Sequence, residues 1–423
     1  MTGTGASQFG FTLVEVLVAT TIMVVVTAAI FDLVSQSGGV FQVQPEVSEL
    51  QQRLRVGVSQ LRRDLMDAGA GSYSGLNDTT NYQTARSLAN YFAPVLPYVQ
   101  SSDANDDGQG RFFSHRITII SVPTTAAQTS LKSDMTSGLA QIQVNQESGC
   151  PFKPNTQQVA DPLCGFHATT ADGIGTKAVI YDGTGAFDEF VVTAVDEGGA
   201  NLDFQHLQQG LLSQAYKVPS RISEVTSHAY FLKADTQQLM HDDGFGNVTP
   251  VLDDVVALKF EYYGEPAPPA FVAPGTPNLS TTYGPAPPGL DAMTSIGSWP
   301  LGENCMWAIR RVGNTATYVP RLLAIGDGGL ALAPLAAENL TDGPWCPDAA
   351  SANRYDADLL RIRRIRVTLR LQTGNAALRG SGSLAAGPDA MFVTPGTAKS
   401  VSKSVPDRAI QFDVSPRNLN LGR

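Results

Sequence analysis

Residues 11–31 read FTLVEVLVATTIMVVVTAAIF, preceded by Gly10 and with Glu15 as the single charged side chain. A membrane-crossing helix needs roughly 20 apolar residues, and this run meets that length. An ordinary secretory signal has a basic start and a shorter apolar core. The residues ahead of the run, MTGTGASQFG, contain no Lys or Arg, and the first basic residue of the chain is Arg53. The flanking charges therefore give no orientation by the positive-inside rule. A carboxylate within an apolar helix is costly and marks a functional position. The alternative is a Glu at the helix start, snorkelling or favoured by the helix dipole.

Working outward, Gly38, Gly39 and Pro45 are residues that interrupt helices. Val47, Leu50, Leu54, Val58, Leu61 and Leu65 then recur at three- and four-residue spacing, with Arg53, Arg55, Arg62 and Arg63 off that stripe. The pattern predicts one long helix from 11 to about 67, broken or softened near 38–45, whose second half covers a globular domain. A free coiled coil would need the pattern to persist for more heptads. Gly69, Gly71, Ser72 and Gly75 end the helix.

From about residue 76 the pattern changes to short β-like runs between turn residues. The clearest are 116–122, 176–181, 189–195, 229–233, 255–263, 324–325 and 362–371. In 255–263, Val256, Leu258, Phe260 and Tyr262 share a face. Ile365, Val367, Leu369 and Leu371 do the same, opposite Arg364, Arg366 and Arg370. Residues 264–300 and 374–400 read as loops, the first Pro-rich and extended. No internal repeat of fixed period appears. The fold class is α+β, a long N-terminal helix packed on a β-rich domain with Gly/Pro-rich loops.

The 423 residues carry 29 Lys+Arg against 39 Asp+Glu, a net charge of −10, which argues against a general nucleic-acid binder. Hydrophobic residues are 43%, enough for a sizeable core and too many for wholesale disorder. The 40 Gly and 26 Pro favour loops and turns over a helix bundle. The 4 Cys include no CxxC pair, which fits two disulfides in an oxidising compartment better than a metal site.

The stretch GFTLVEVLVA joins Gly10, the aromatic Phe11, Glu15 and an uninterrupted apolar run. It resembles the class III signal of type IV pilins and type II secretion pseudopilins. QLRRDLMDAG (60–69), VLDDVVALKFEYYG (251–264), RIRRIRVTLRLQTG (361–374) and VSPRNLNLG (414–422) resemble, in that order, segments of PilW-type minor pilins, relatives of the GspJ-type minor pseudopilins. The leader departs from the family's usual pattern in lacking Lys and Arg. The resemblance implies cleavage by a prepilin peptidase between Gly10 and Phe11, and methylation of the new Phe11 amine. It also implies pairing of Glu15 with the Phe11 amine of a neighbouring subunit. The implied layout is a leader at 1–10, a transmembrane segment at 11–34, an amphipathic continuation at 35–68 and an extracytoplasmic β-rich domain at 69–423. The implied location is the cytoplasmic (inner) membrane, single-pass, and then the pilus or cell surface. Implied partners are other pilins and minor pilins, the prepilin peptidase, the inner-membrane assembly platform and membrane lipid. Three roles stay open: a minor pilin of a type IV pilus, a minor pseudopilin of a type II secretion system, and a pilus-borne adhesin or DNA-binding subunit.

No catalytic motif appears: there is no GxSxG, GxxxxGK[ST], HExxH or GxGxxG after a strand, and no enzyme is expected. His115, His167, His206, His228 and His241 are scattered without ligand spacing. His241-Asp242-Asp243 reads as a polar turn sooner than a metal site. Asp103, Asn105 and Asp107, with Gly108 sixth, match the start of a calcium loop. Position twelve, however, is Ser114 rather than a bidentate Glu, so calcium binding stands beside a solvated acidic turn. No other cofactor is expected. Arg361, Arg363, Arg364, Arg366 and Arg370 lack the interleaved aromatics of a single-strand platform. They read as the solvated face of an edge or half-buried strand, and nucleic acid is not an expected partner. Sequential cysteine pairing, Cys150 with Cys164 and Cys305 with Cys346, is the simplest of three connectivities.

Overall fold

A computed structural model of the chain describes residues 11–71, 93–99, 112–123, 127–138, 141–147, 150, 152–153, 159–168, 175–181, 187–205, 212, 214–265, 307–320, 331–336, 340, 359, 361–379 and 405–420. Helix α1 spans Leu13–Asp67 as a single element with Pro45 inside it. The sequence predicts one long helix broken or softened near 38–45, and the helix continues through that stretch without a break. Pro45 removes one backbone hydrogen bond, but tertiary contacts hold the chain immediately beyond it. The Thr373 hydroxyl donates to Glu46 Oε2 at 2.7 Å, and Leu50 is fully buried.

The first part of α1, Leu13–Leu33, has no buried residue and is long and apolar enough to cross a membrane. The second part is a one-sided helix. Leu50, Leu54, Leu61 and Leu65 are buried, Val47 and Val58 half-buried, and Arg55, Arg62 and Arg63 exposed. Burying each Leu contributes about 1.5–3 kcal/mol, so packing rather than propensity holds this half in place. The chain leaves the helix through Gly69 and Gly71, both at φ +71°. The Gly69 N–H donates to the Ile120 carbonyl at 2.8 Å, and a Cβ at Gly71 would strike the Val122 carbonyl.

The described strands are β1 (Val95–Leu96), β2 (Arg116–Ser121), β3 (Gln128–Ser130), β4 (Gln141–Gln143), β5 (Lys177–Tyr181), β6 (Phe187–Asp196), β7 (Asn201–Gln205), β8 (Arg221–Glu224), β9 (Thr226–Lys233), β10 (Gln238–Asp242), β11 (Val248–Leu252), β12 (Val255–Gly264), β13 (Trp307–Val312), β14 (Thr315–Pro320), β15 (Ala333–Leu335), β16 (Ile362–Leu371) and β17 (Arg408–Val414). They pair antiparallel in three sheets, ordered β1-β2-β9-β10-β11, β15-β12-β16-β17 and β3-β8-β5-β6-β7-β4, with β13-β14 a separate hairpin. The fold is therefore α+β. Six of the expected strands fall on β2, β5, β6, β9, β12 and β16. Residues 324–325 lie outside the described residues, as does the Pro-rich loop beyond Gly264 and Glu265. Residues 376–378 form a short 3-10 turn within the second expected loop.

Among the described residues two large cores pack against the sheets, with a small third cluster around Val99, Ala229, Phe231 and Met240. The larger joins the inner face of α1 to the five- and four-stranded sheets, with Ile119, Tyr230, Leu252, Leu258, Phe260, Ile365, Val367 and Leu369 at its centre. The smaller lies on the six-stranded sheet, around Leu131, Ile180, Phe190, Val192, Tyr216 and Ile222. In sequence that whole sheet falls between β2 and β9, which are direct neighbours in register Arg116↔Phe231 to Ser121↔Thr226. It is an insertion between two paired strands. A buried ion pair fastens it back. Lys177 Nζ lies 2.9 Å from Glu189 Oε2, the two side chains are 4% and 3% exposed, and the same Nζ donates to Ser227 Oγ on β9 at 2.6 Å.

Candidate functional site

The N-terminus of α1 is closed by a capping box. Thr12 is the N-cap, in extended conformation. Its hydroxyl accepts from the Glu15 N–H at 3.3 Å, while Glu15 Oε2 accepts from both the Thr12 N–H and the Thr12 hydroxyl at 2.9 Å. The S/T-x-x-E signature of this box stands in the sequence as TLVE. It pairs backbone donors that a helix start otherwise leaves open. Thr12 is thus a site residue that attention to Phe11 and Glu15 alone passes over. Within a single chain the carboxylate is held on its own helix end, with Phe11 beside it almost fully exposed. Gly10 lies outside the described residues. Farther along, the hydroxyls of Thr20 and Thr21 donate to the Leu17 carbonyl and that of Thr27 to the Met23 carbonyl. These hydroxyls of the apolar run are thereby satisfied inside the helix, as lipid demands.

The seat of the second half of α1 is tight. Gly57 is buried against β11, where a Cβ would overlap the Leu252 side chain. Arg53 Nη1 donates to Asp254 Oδ2 at 3.0 Å, and Arg379 Nη2 to Asp254 Oδ1 at 3.1 Å. The outer side of the helix forms one wall of a groove of about 710 Å³, lined by Leu54, Arg55, Val58, Arg62, Met66 and Ile410.

The arginines of 361–370 do not form an open basic face. Strand β16 is interior, between β12 and β17, not at an edge. Arg366 grips Asp413 with two hydrogen bonds, 2.8 and 3.2 Å, and Arg364 stacks over Tyr263. The Arg366 hydrogen bonds hold the Asp413 carboxyl below the usual carboxylate range. Arg370 pairs with Asp407, and Arg361 donates to the Glu265 carbonyl. Of the two expectations, the edge strand is corrected: β16 is a half-buried interior strand, and residues on or beside β12 and β17 supply a carboxylate or carbonyl to Arg361, Arg366 and Arg370.

The structure joins Cys150 to Cys164, 14 positions apart with Cα atoms 4.6 Å apart, beside the smaller core. Cys305 and Cys346 lie outside the described residues. A crosslink over a loop of this size contributes about 3 kcal/mol by restricting the unfolded chain. Replacing Cys164 by Ser should therefore lower the midpoint of chemical unfolding by an amount equivalent to about 2–4 kcal/mol. Dithiothreitol should cost the parent protein more than the variant by about that same amount, and equal sensitivity of both would contradict the assignment.

Asp103, Asn105 and Asp107 lie outside the described residues, as does His206. Two of the remaining histidines are not scattered: His228 and His241 meet side by side, with Nδ1 and Nε2 2.9 Å apart. Antiparallel pairing of β9 with β10 brings them together, which no linear spacing reveals. Burial, and next to it His228, hold His241 below the usual imidazole range. Asp242, the last residue of β10, and Asp243, the first of the turn after it, instead accept from the N–H groups of Gly244 and Phe245.

Comparison with known protein families matches residues 5–31 to the prokaryotic N-terminal methylation motif. No curated protein matches the chain. The matched stretch is a type IV pilin-like prepilin signal. It implies processing by prepilin peptidase and assembly with other pilins, and it points to a structural, pilin-like precursor of pilus or pseudopilus type. With the apolar helix behind it, it suggests membrane anchoring and a pilus-related surface location.

Proposed function

We propose that this protein is a minor pilin of a type IV pilus, cut between Gly10 and Phe11, methylated on Phe11 and assembled through α1 to prime, cap or decorate the filament. In this reading residues 1–10 are the leader, 11–34 cross the cytoplasmic membrane, 35–68 continue the helix and 69–423 form the extracytoplasmic domain. The observation that carries it is the prepilin signal on an exposed apolar helix whose continuation is built into a β-rich domain. Cleavage would create a cation at Phe11, next to the Thr12 cap and the Glu15 carboxylate. Packed among other helices and away from water, each charge is costly unless paired. Pairing between subunits offsets part of that cost and fixes the axial register.

Glu15→Val is therefore expected to leave expression, membrane insertion and leader cleavage intact. It should lower the amount of protein in sheared filaments at least tenfold, the ratio that a difference of about 1.4 kcal/mol produces. Glu15→Asp should be intermediate, charged but shorter. Normal incorporation of Glu15→Val would reduce α1 to an anchor. The same signal fits a minor pseudopilin of a type II secretion system. Deleting the pilus assembly platform and, separately, the secretion platform shows which machine carries the protein outward. A pilus-borne adhesin is a third reading, tested by removing 264–300 and measuring surface binding while filaments persist.

A further inference from the structure

We propose that Asp64, His228 and His241 form a binding site for a divalent transition-metal ion, zinc by its ligand chemistry, which ties α1 to the five-stranded sheet. The proposal does not depend on the filament role. His241 on β10 lies directly opposite Tyr230 on β9. His228, two residues before Tyr230, shares its face of the sheet and is the diagonal neighbour of His241. The two imidazoles stack with centroids 5.1 Å apart, and Tyr230 lies against His241 at 4.8 Å. That face looks onto the helix, and Asp64, one residue before the buried Leu65, comes down from it. The donor atoms of Asp64, His228 and His241 all lie within 4.8 Å of one another, and the three side chains are half-buried, within reach of solvent.

Two imidazole nitrogens and one carboxylate oxygen are the donor set of a three-ligand zinc centre with a fourth position for water. A tetrahedral ion about 2.0–2.1 Å from each nitrogen sets them about 3.3–3.4 Å apart. The observed 2.9 Å needs an opening of only a few tenths of an ångström. Calcium and magnesium prefer all-oxygen sets and fit poorly here. The carboxylate is already oriented, as ligating carboxylates usually are: the Tyr230 hydroxyl donates to Asp64 Oδ2. Three groups from three elements, Asp64 far in sequence from the two histidines, would then share one ion, and the unfolded chain would have no such preformed site.

The test uses the full chain in detergent, stripped with a chelator and dialysed, then titrated with zinc alone. The expected result is about one zinc bound per chain at micromolar free metal, with a melting temperature raised by several degrees. Calcium or magnesium should leave the melt unchanged, and cobalt(II) in the same site should give the intense visible absorption of tetrahedral coordination. Asp64→Asn keeps an acceptor for Tyr230 and removes the ligand charge. It should retain the metal-free melt and weaken zinc at least tenfold. The double substitution His228→Gln with His241→Gln should abolish binding. Wild-type protein that binds less than about a tenth of an equivalent would overturn the site, as would undiminished zinc binding in Asp64→Asn. Undiminished binding in the double variant would place the zinc elsewhere and overturn the site equally.

Discussion

Lys177→Ala is expected to be the most damaging single substitution outside the apolar run, at about 3–5 kcal/mol. It removes the cation and leaves the Glu189 carboxylate buried between the insertion and β9, its Oε1 already without a partner among the described residues. Ser227 loses its donor in the same change. The loss is mainly a desolvation cost, so the pair should be far less expensive to delete together. Lys177→Met with Glu189→Leu, close in volume, should regain most of the stability and in a dry core even exceed it. The comparison is made by chemical unfolding of the two single variants and the double. If the double variant is as unstable as the sum of the singles, the pair contributes through specific contacts and the desolvation argument fails.

Gly57→Leu should cost about 3 kcal/mol, at the upper end of the usual range for overpacking. On an isolated helix almost any side chain but proline would help at this position, since glycine is less favourable there than alanine by about 1 kcal/mol. In the folded chain the added Cβ alone overlaps three atoms of Leu252, which is itself buried. The helix must lift from β11 or Leu252 must leave its rotamer, and either opens the contacts of Leu54 and Leu61. Gly57→Ala should cost less, its gain in propensity partly cancelling the clash. Gly57→Ala in a Leu252→Ala background should be neutral or stabilising, because the clash is gone and the propensity remains. Thermal melts of the parent, Gly57→Ala, Leu252→Ala and the double variant form a double-mutant cycle, and additivity would show that the two residues do not meet.

Periodicity carried what it can carry. The stripe from Leu50 to Leu65 and the alternation in β12 and β16 were legible because each buries one face over many residues, and the apolar run because it is apolar on every side over a membrane-crossing length. Strands such as Gln141–Gln143 and Arg221–Glu224 were not: three or four residues of mixed polarity give no period, and only their neighbours make them strands. Pro45 reads as a breaker and is overridden by the packing that begins at Glu46 and Leu50. At the helix start, Phe11 and Glu15 stood out by type, whereas Thr12 required the cap geometry to be considered. Asp64, His228 and His241 come from three elements. Their meeting depends on strand register and helix rotation, which no local window contains. The same holds for the arginines of β16, whose carboxylate partners Asp407 and Asp413 flank or lie on β17.

The placement of the six-stranded sheet between two paired strands bears on the order in which the chain folds. Ser121 and Thr226 meet across β2 and β9 although they are 105 residues apart. Closing a flexible loop of that length costs about 4 kcal/mol in chain entropy, and one of about ten residues costs half as much. The insertion supplies the shortcut itself. Its first and last strands, β3 and β8, are paired, and Ala127 and Glu224 exchange hydrogen bonds at their base. Once that neck has formed, β2 and β9 are separated by a handful of residues rather than a hundred. The barrier to building the main sheet is then lowered by roughly 2 kcal/mol, about thirtyfold in rate. If the neck forms first, the module that interrupts the main sheet also templates it.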